Sequence, residues 1–329
     1  MRCIQLGKLF SIGEVLIDFI PLQKGKALKD VSSFERAPGG APANVAAAVA
    51  KFGGNSALIT KVGVDAFGDF LLEQLTHFGV STDKILRTKE ANTGLAFVSL
   101  REDGERDFSF YRKPSADLLL MDTEIEENWF HEGDILHFCS VDLVESPMKG
   151  AHIKAIKSVK THSGLISFDP NVRLPLWNDP EECRKTILEF IPMAHILKVS
   201  DEELEFITGI SDERKAIASL FKGDVKVVIF TKGSEGAELY VKDKKYESMG
   251  YDVKVEDTTG AGDAFIGGVL YQLLNRKVNQ NNLVDIIEEF HEDILRFANA
   301  SGALTTTKKG AISAIPSKES IFSLTRLMD

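Results

Sequence analysis

Short apolar runs alternate with helical patterns along most of the chain. Runs typical of buried strands occur at 56–62, 134–140, 165–169, 195–200 and 225–231, and helical patterns follow four of them after short connections. Such an alternation is typical of a mainly parallel sheet that helices cover on both faces. The pattern therefore predicts an α/β fold, and no shift in composition divides the 329 residues into separate domains.

Two segments break this alternation. Residues 12–20 alternate in the manner of one strand and lead into the polar segment 23–30. Residues 93–112 contain two strand-like runs, LAFVSL and DFSFYR, joined by a turn with Asp-Gly, which is typical of a hairpin. Both faces of LAFVSL are largely apolar. The hairpin therefore either covers a ligand and meets a second subunit, or packs on its own domain.

Charge and cysteine content exclude several classes of protein. The 39 basic and 49 acidic residues give a net charge of −10, which argues against a general nucleic-acid binder. Cys3, Cys139 and Cys183 are far apart and form no CxxC pair, which argues against a zinc site and a disulfide framework. The N-terminus lacks the pattern of a secretory signal, and no apolar run is long enough to span a membrane. We therefore expect a reduced, cytoplasmic protein.

The strongest motif is DTTGAGD at 257–263, which follows a strand-like run at 252–256 and opens a helix through Leu274. Gly260 and Gly262 let the backbone approach a ligand closely. The N–H groups at the start of the helix, together with the positive end of its dipole, form an anion site. The glycine spacing is neither that of a dinucleotide-binding fingerprint nor that of a P-loop.

Asp263 is the informative residue of this motif. A carboxylate beside an anion site repels phosphate, unless it accepts a proton from a hydroxyl that attacks that phosphate. Alternatively, Asp263 is a first-turn acid that complements the helix dipole, with Thr258 or Thr259 as the cap. The spacing alone leaves both interpretations open.

A second motif, GGAPAN at 39–44, precedes an alanine-rich helical run that Gly53 and Gly54 end. Pro42 suits the first turn of a helix. Gly39, Gly40 and Asn44 could bind hydroxyl groups. As a pattern alone, the alanine run favours close helix packing.

Three shorter motifs stand at predicted strand ends. TKGSEG at 231–236 suits a nucleotide or any tight turn, and FDPNVR at 168–173 places polar groups where parallel sheets usually bind ligands. SDEE at 200–203 also stands at a strand end, or forms a helix capping box from Ser200 to Glu203.

Taken in order, these motifs resemble the ribokinase-like (PfkB) family of carbohydrate kinases over nearly the whole chain. The segment 39–54 resembles the first signature of that family, and 257–269 resembles the second. Within the family the chain is most similar to fructokinases, as the strings GGAPANVAAAVAKFGG, ERDFSFYRKPSADLLL, FDPNVRLPLW and SDEELEFITG indicate.

The resemblance implies a three-layer Rossmann-like sandwich with a mainly parallel central sheet and a small β-strand lid. The lid would come from 12–36 and 93–112, within a single domain over 1–329. The implied reaction is the ATP-dependent, magnesium-requiring phosphorylation of fructose on its 6-hydroxyl. One alternative is the same reaction on another alcohol: 2-keto-3-deoxygluconate, ribose or a nucleoside. The others are a sugar-binding protein without catalysis and a nicotinamide oxidoreductase, which the glycine spacing disfavours. We expect a small sugar as partner, no nucleic acid or membrane, and a homodimer through the lid.

The resemblance also implies individual roles. Asp263 would be the catalytic base, and the backbone N–H groups of three residues would form an anion hole: Gly260, Ala261 and Gly262. Seven residues would face the sugar or its phosphoryl donor: Asp18, Gly39, Gly40, Asn44, Phe97 from the lid, Arg106 and Arg173.

Further residues would serve ATP and cations. Those along ATP would be Ser200, Thr231, Gly233, Gly236 and Asn299. Glu203 would hold Mg²⁺ through water, and Asp257 and Thr259, with the region of Gly310, would hold K⁺. Ser200 stands where the family usually has Asn, so a role of that Asn amide is not carried over.

Overall fold

The computed structural model describes residues 7–23, 25–100 and 106–326. Its strands are β1 Leu9–Ile12, β2 Leu16–Pro21, β3 Phe34–Gly39, β4 Ser56–Gly63, β5 Ile85–Thr88, β6 Gly94–Leu100, β7 Arg106–Tyr111, β8 Ile135–Cys139, β9 Leu165–Asp169, β10 Ile196–Ser200, β11 Val227–Thr231, β12 Gly236–Val241 and β13 Lys244–Met249. Its α-helices are α1 Ala41–Lys51, α2 Ala66–His77, α3 Pro147–Thr161, α4 Pro180–Phe190, α5 Asp201–Thr208, α6 Glu213–Ser219, α7 Ala261–Asn275, α8 Leu283–Thr305 and α9 Lys318–Arg326.

The described residues form one large sheet with the strand order β13-β12-β11-β10-β9-β8-β1-β4-β5. All neighbours from β11 to β5 are parallel, and β12 and β13 add an antiparallel edge. The five apolar runs predicted as strands are all strands of this sheet. Successive residues of β10 enter different cores, Ile196 on one face and Leu197 on the other. The predicted α/β sandwich is therefore confirmed.

Helices α1, α7 and α8 pack on one face of the large sheet, and α3, α4, α5 and α6 pack on the other. The alanine run of α1 lies directly against α7. A Cβ atom placed on Gly267 would lie 2.6 Å from the Cβ of Ala48, so only a glycine fits this contact. The close packing predicted for the alanine run is confirmed. It holds the first turns of α1 and α7 side by side.

A second, smaller sheet, which we call the lid sheet, has the strand order β3-β2-β6-β7. The hairpin predicted at 93–112 is confirmed as β6 and β7, and the turn predicted at 101–104 lies outside the described residues. The first lid segment spans 16–39 instead of the predicted 12–36, because β3 continues to Gly39.

The single strand predicted over residues 12–20 is wrong. β1 ends at Ile12 within the large sheet, and β2 begins at Leu16 within the lid sheet. Gly13 makes this change of direction with φ 144°, and a Cβ there would lie 2.5 Å from Pro42 Cγ. A side chain at this position would be both strained and blocked.

Two other expected elements differ. Residues 252–256 form no strand, and the N–H groups of Glu256 and Asp257 donate to the Thr306 carbonyl oxygen instead. The helix predicted over 180–194 ends as an α-helix at Phe190, and a 3₁₀ turn follows. Within the described segments, no helix combines the length and the apolar character needed to cross a membrane.

Candidate active site

A cleft of about 500 Å³ lies between the lid sheet and the carboxyl ends of the parallel strands. Asp18 and Phe110 line it from the lid sheet, and Asp169 lines it from the end of β9. The starts of α1 and α7 complete its wall with Gly40 and Gly262. Ligands usually bind at this position in open α/β sheets.

Asp263 lies in the cleft as the third residue of α7 and is 8% exposed. The Asn44 side-chain amide donates to Asp263 Oδ2 at 2.8 Å, and that of Asn171 donates to Oδ1 at 3.3 Å. Gly260 is the N-cap of α7 and offers no side-chain cap. Side-chain amides from two other segments thus hold the Asp263 carboxylate in the cleft. This arrangement favours the proton-acceptor interpretation of Asp263 over that of a helix-dipole acid.

Burial and the neighbouring groups shift the pKa of Asp263 in opposite directions. Burial raises the pKa of Asp263, whereas the Asn44 amide and the charges of Arg173 and Lys198 lower it, and the net shift is upward. A carboxylate with a raised pKa is a stronger proton acceptor than an ordinary surface aspartate.

The glycine-rich loop before α7 has the backbone that an anion site needs. Gly260 has φ 75°, and a Cβ there would lie 2.9 Å from the Cβ of Ala311. Gly260 and Gly262 line the cleft. The Ala261 N–H instead donates to the Thr258 carbonyl oxygen at 3.3 Å. Two of the three residues predicted for the anion hole thus border the cleft, and the hole itself stays a prediction.

The predicted sugar-binding residues meet at the start of α1. A Cβ on Gly39 would lie 2.1 Å from Asp18 Oδ2, so the missing side chain lets that carboxylate lie against the turn. Gly40 has φ 108°, and a Cβ there would lie 2.5 Å from the Glu14 carbonyl oxygen. Asn44 Oδ1 is buried and has no hydrogen-bond partner in the structure. This oxygen can accept a hydrogen bond from a hydroxyl group.

The structure corrects the position expected for Phe97. Its ring stacks on that of Phe19, with the ring centroids 4.7 Å apart. In the lid sheet Ala96 pairs with both Asp18 and Phe110, so those three residues share the face that borders the cleft. Phe97 lies on the opposite face because side chains alternate along a strand. Among the described side chains of the lid sheet, Phe110 is the aromatic residue that lines the cleft.

The two arginines expected near the substrate are placed differently. Arg173 lines the cleft, and its Nη1 donates to the Val172 carbonyl oxygen at 3.0 Å. Arg106 is the first residue of β7, but its side chain lies outside the described residues.

A buried ion pair at the cleft was missed by the sequence reasoning. Lys198 Nζ lies 2.8 Å from Asp169 Oδ2, and the two side chains are 7% and 1% exposed. Two charged residues in apolar runs could have indicated this pair: the lysine within ILKVS and the aspartate that ends LISFD.

A second missed group joins the lid sheet to the large sheet. Arg112, just after β7, donates to Asp117 and Asp142, and all three side chains are buried. Glu14 Oε1 accepts from the Ala41 N–H at 2.9 Å. Burial and the nearby Asp142 raise the pKa of Glu14 well above its usual range, despite Arg112. The signal for Glu14 was one acid within the apolar run SIGEVLI.

Glu203 ties two segments together. Its Oε1 accepts from the Val172 N–H at 2.7 Å, and its Oε2 accepts from the Ser200 N–H at 3.0 Å. Burial opposes the charged form, but Lys198 and these two N–H donors lower the pKa of Glu203 overall. Glu203 therefore stays ionised, and the capping box predicted from Ser200 to Glu203 is present.

The acids near Glu203 fit a magnesium ion that also binds phosphates. Among the described residues, no group of three or more His, Cys, Asp or Glu side chains could hold a metal by itself. Asp169 Oδ1 is buried without a hydrogen-bond partner, and the charge of Glu203 is close enough to raise the pKa of Asp169. Mg²⁺ usually binds one or two carboxylates together with water and substrate phosphates.

The residues expected along ATP lie towards the antiparallel edge of the large sheet. Ser200 and Thr231 pair in register at the ends of β10 and β11. Gly236 opens β12 after a tight turn that contains Gly233, which has φ 53° and open space around its Cβ position. The Asn299 side-chain amide donates to the carbonyl oxygen of Ser248 at 3.0 Å, so it supports the end of β13.

The two segments expected to hold a monovalent cation do come together. Asp257 Oδ1 accepts from the Thr259 N–H at 2.9 Å and from its hydroxyl at 2.6 Å. Asp257 Oδ2 accepts from the Gly310 N–H at 3.0 Å. A cation role for this loop pair stays a prediction.

Known proteins resemble this chain over nearly its whole length. The model of the pfkB family carbohydrate kinases matches residues 6–318. A probable fructokinase-2 of Arabidopsis thaliana is 46% identical over 313 residues, covering 94% of this chain and 93% of the relative. The structure of a Xylella fastidiosa fructokinase with bound ATP has a TM-score of 0.90 and 34% identity, with 98% of this chain and 99% of the other covered.

A second solved structure adds ligands. A double mutant of the Vibrio cholerae O395 fructokinase, with fructose, ADP and potassium bound, has a TM-score of 0.85 and 35% identity, with 98% of this chain and 100% of the other covered. These similarities confirm the resemblance on which the motifs were interpreted. Together with the fold and the cleft, they show that the chain belongs to the pfkB family of carbohydrate kinases.

Proposed function

We propose that this carbohydrate kinase transfers the terminal phosphoryl group of ATP to the 6-hydroxyl of fructose, which yields fructose 6-phosphate and ADP. The observation that carries the proposal is the buried Asp263 carboxylate, held by Asn44 and Asn171 at the start of α7 in the cleft. The fructokinase names of the relatives support fructose, and so do the fructose and ADP of the Vibrio structure.

In the proposed mechanism, the 6-oxygen of fructose attacks the terminal phosphorus of ATP. Its proton passes to the Asp263 carboxylate, and the bond between that phosphorus and the oxygen that leaves with ADP breaks. Asn44 and Asn171 orient the carboxylate. The N–H groups at the start of α7 stabilise the charge that develops on the phosphoryl oxygens.

The sugar would lie between the start of α1 and the lid sheet. Asp18 and Asn44 would accept hydrogen bonds from its hydroxyl groups, and Phe110 would cover one face of the cleft. A site that consists of such acceptors suits a neutral polyol. Closure of the lid sheet would exclude water from the phosphoryl group.

The remaining assignments concern ATP and cations. We place ATP along Ser200, Thr231, Gly233, Gly236 and Asn299, and K⁺ at Asp257 and Thr259 with Gly310. Asp169 and Glu203 would hold Mg²⁺, which when bound neutralises charge on the phosphates of ATP. A cytoplasmic location and a homodimer through the lid sheet remain predictions from the sequence.

Glu203→Gln is expected to raise the magnesium concentration needed for half-maximal activity and to lower kcat, while fructose binding changes little. The amide can accept only one of the two backbone N–H bonds, so a loss of about 1–3 kcal/mol in stability accompanies the change. A magnesium titration of the rate and calorimetry of fructose binding measure the two effects. Glu205→Gln, an exposed change on the same helix, is the control. A lower melting temperature with an unchanged magnesium requirement would leave Glu203 as a capping residue.

The substrate is tested by parallel steady-state kinetics on fructose, 2-keto-3-deoxygluconate and ribose with ATP and magnesium. We expect the highest kcat/KM for fructose. Ribose is shorter, and a misplacement of its terminal hydroxyl by ~1 Å costs about 10²-fold. Conversion of the product by glucose-6-phosphate isomerase identifies phosphorylation at the 6-position. A higher kcat/KM for 2-keto-3-deoxygluconate, abolished by Arg173→Ala or Arg106→Ala, would overturn fructose but leave the kinase assignment.

A further inference from the structure

Lys198 stands where the proposed phosphoryl transfer would take place. It belongs to β10 and lines the cleft together with Gly262 and Asp263. Side chains alternate along a strand, and Ile196, two residues earlier, lies in the core on the α7 side of the sheet. The Lys198 ammonium lies only 3.6 Å from the Cβ position of Gly262, the second residue of α7.

This position is electrostatically unusual for a lysine. The start of a helix carries positive partial charge, so a cation there is unfavourable unless an anion lies between them. In the structure, Asp169 supplies the balancing charge through one oxygen, at 2.8 Å from Nζ. An ammonium group has three N–H donors, so donors remain for another acceptor.

Lys198 shares the cleft with the candidate base and with one of the candidate magnesium ligands. Asp263 lines the same cleft, and Asp169 binds the ammonium group directly. A cation held at this point and facing helix N–H groups has the chemistry of a phosphoryl-binding site.

We propose that Lys198 is a further catalytic residue, which donates a hydrogen bond to the transferring phosphoryl group in the transition state. The inference rests on the proposed kinase function. Lys198 keeps its proton throughout, since the proton of the attacking hydroxyl passes to Asp263. Asp169 acts as a positioning residue that holds the ammonium group beside the glycine-rich loop until the phosphoryl group arrives.

The competing explanation is that Lys198 and Asp169 are only a structural ion pair. Buried ion pairs are weak contributors to stability, and neutral side chains often replace both partners without loss. Lys198→Met alone would leave Asp169 buried and unpaired, so a loss of activity could reflect misfolding. The double variant Lys198→Met/Asp169→Asn removes both charges and separates stability from catalysis.

The experiment compares wild type, Asp169→Asn and Lys198→Met/Asp169→Asn for melting temperature, fructose affinity and kcat. We expect the double variant to fold with a melting temperature near that of wild type. Its kcat should be about 10²-fold or more below that of Asp169→Asn, the size of effect seen when one transition-state donor is removed. Fructose affinity should stay within about threefold, because the lost bond forms only with the phosphoryl group.

A binding measurement supplies a readout that no structural role would change. Aluminium fluoride with ADP, magnesium and fructose mimics the transferring phosphoryl group and should tighten ADP binding to wild type. In the double variant this tightening should be much weaker than in Asp169→Asn, which shares the loss of the candidate magnesium ligand, while the affinity for ADP alone is the same in both variants. Lys61→Met/Glu124→Gln serves as the control. It removes an ion pair with Nζ and Oε2 2.7 Å apart, in which the lysine is as buried as Lys198 and the glutamate is 27% exposed, from residues that do not line the cleft.

The outcomes separate the two hypotheses. Aluminium fluoride tightening as strong in the double variant as in Asp169→Asn would overturn the role of Lys198, and so would a kcat equal to that of Asp169→Asn. If wild type fails to phosphorylate fructose, the proposed function itself is wrong, and the role of Lys198 falls with it.

Discussion

Asp263→Asn is expected to lower kcat by at least ~10²-fold, the lower end for a lost general base. Asparagine keeps the size of the side chain and can still bond to Asn44, but it cannot take the proton of the attacking hydroxyl. Fructose affinity should change much less, because the proton moves only in the transition state. Steady-state kinetics and calorimetry with fructose test both parts.

The pH profile gives an independent check of this role. The base must be ionised in the free enzyme, so kcat/KM falls as the pH drops through the pKa of Asp263. Burial raises that pKa, so the fall should lie above the pH range of an ordinary aspartate and should be absent from the residual activity of Asp263→Asn.

The control for this variant is Asp285→Asn, which removes a first-turn acid from α8, away from the cleft. It should cost only the ~0.3–1 kcal/mol typical of a charge at a helix start, with kcat unchanged. Near-normal turnover in a folded Asp263→Asn variant would instead favour the helix-dipole interpretation of Asp263.

Arg112→Met is expected to have the largest effect on stability, a loss of about 3–5 kcal/mol in the free energy of unfolding. Arg112 is 5% exposed and forms ion pairs with Asp117 and Asp142. The nearby Glu14 carboxyl group also stabilises the charged guanidinium group. Without the guanidinium group, buried carboxylates remain with no cation to balance them. Urea unfolding at neutral pH, monitored by circular dichroism, measures the loss.

Two further variants test the cause of that loss. Arg112→Met/Asp142→Asn removes one of the stranded charges and should recover part of the stability. Arg87→Met breaks a more exposed pair with Asp69, at 2.8 Å, and should cost no more than about 1 kcal/mol. A loss for Arg112→Met as small as that for Arg87→Met would mean that protons already neutralise the buried acids.

Much of the fold could be predicted from local patterns. The runs at 56–62 and 165–169 are strands within a residue of the predicted ends, since a buried parallel strand is apolar on both faces and therefore reads as a continuous run. The helices after them were predicted on their periodicity. The same reasoning failed at 12–20, because strands of two different sheets have the same alternation and only Gly13 separates them.

The lid sheet shows a second limit. The alternation in LAFVSL places Phe97 and its neighbours on alternate faces, but it does not say which face borders the cleft. That depends on register, here the pairing of Ala96 with Asp18 on one side and with Phe110 on the other. A shift by one residue would bring Phe97 to the cleft instead.

The sequence by itself determined the fold class, the glycine-rich loop and the residue types at each strand end, because these follow from local spacing and backbone geometry. Only the tertiary structure decided which side chains act together. Asn44 meets Asp263 across 219 positions of the chain, and Lys198 meets Asp169 across 29. The physical reason is that charge, burial and hydrogen bonding depend on distances through space. Those distances are set by the packing of α1 against α7 and by the order of the parallel strands.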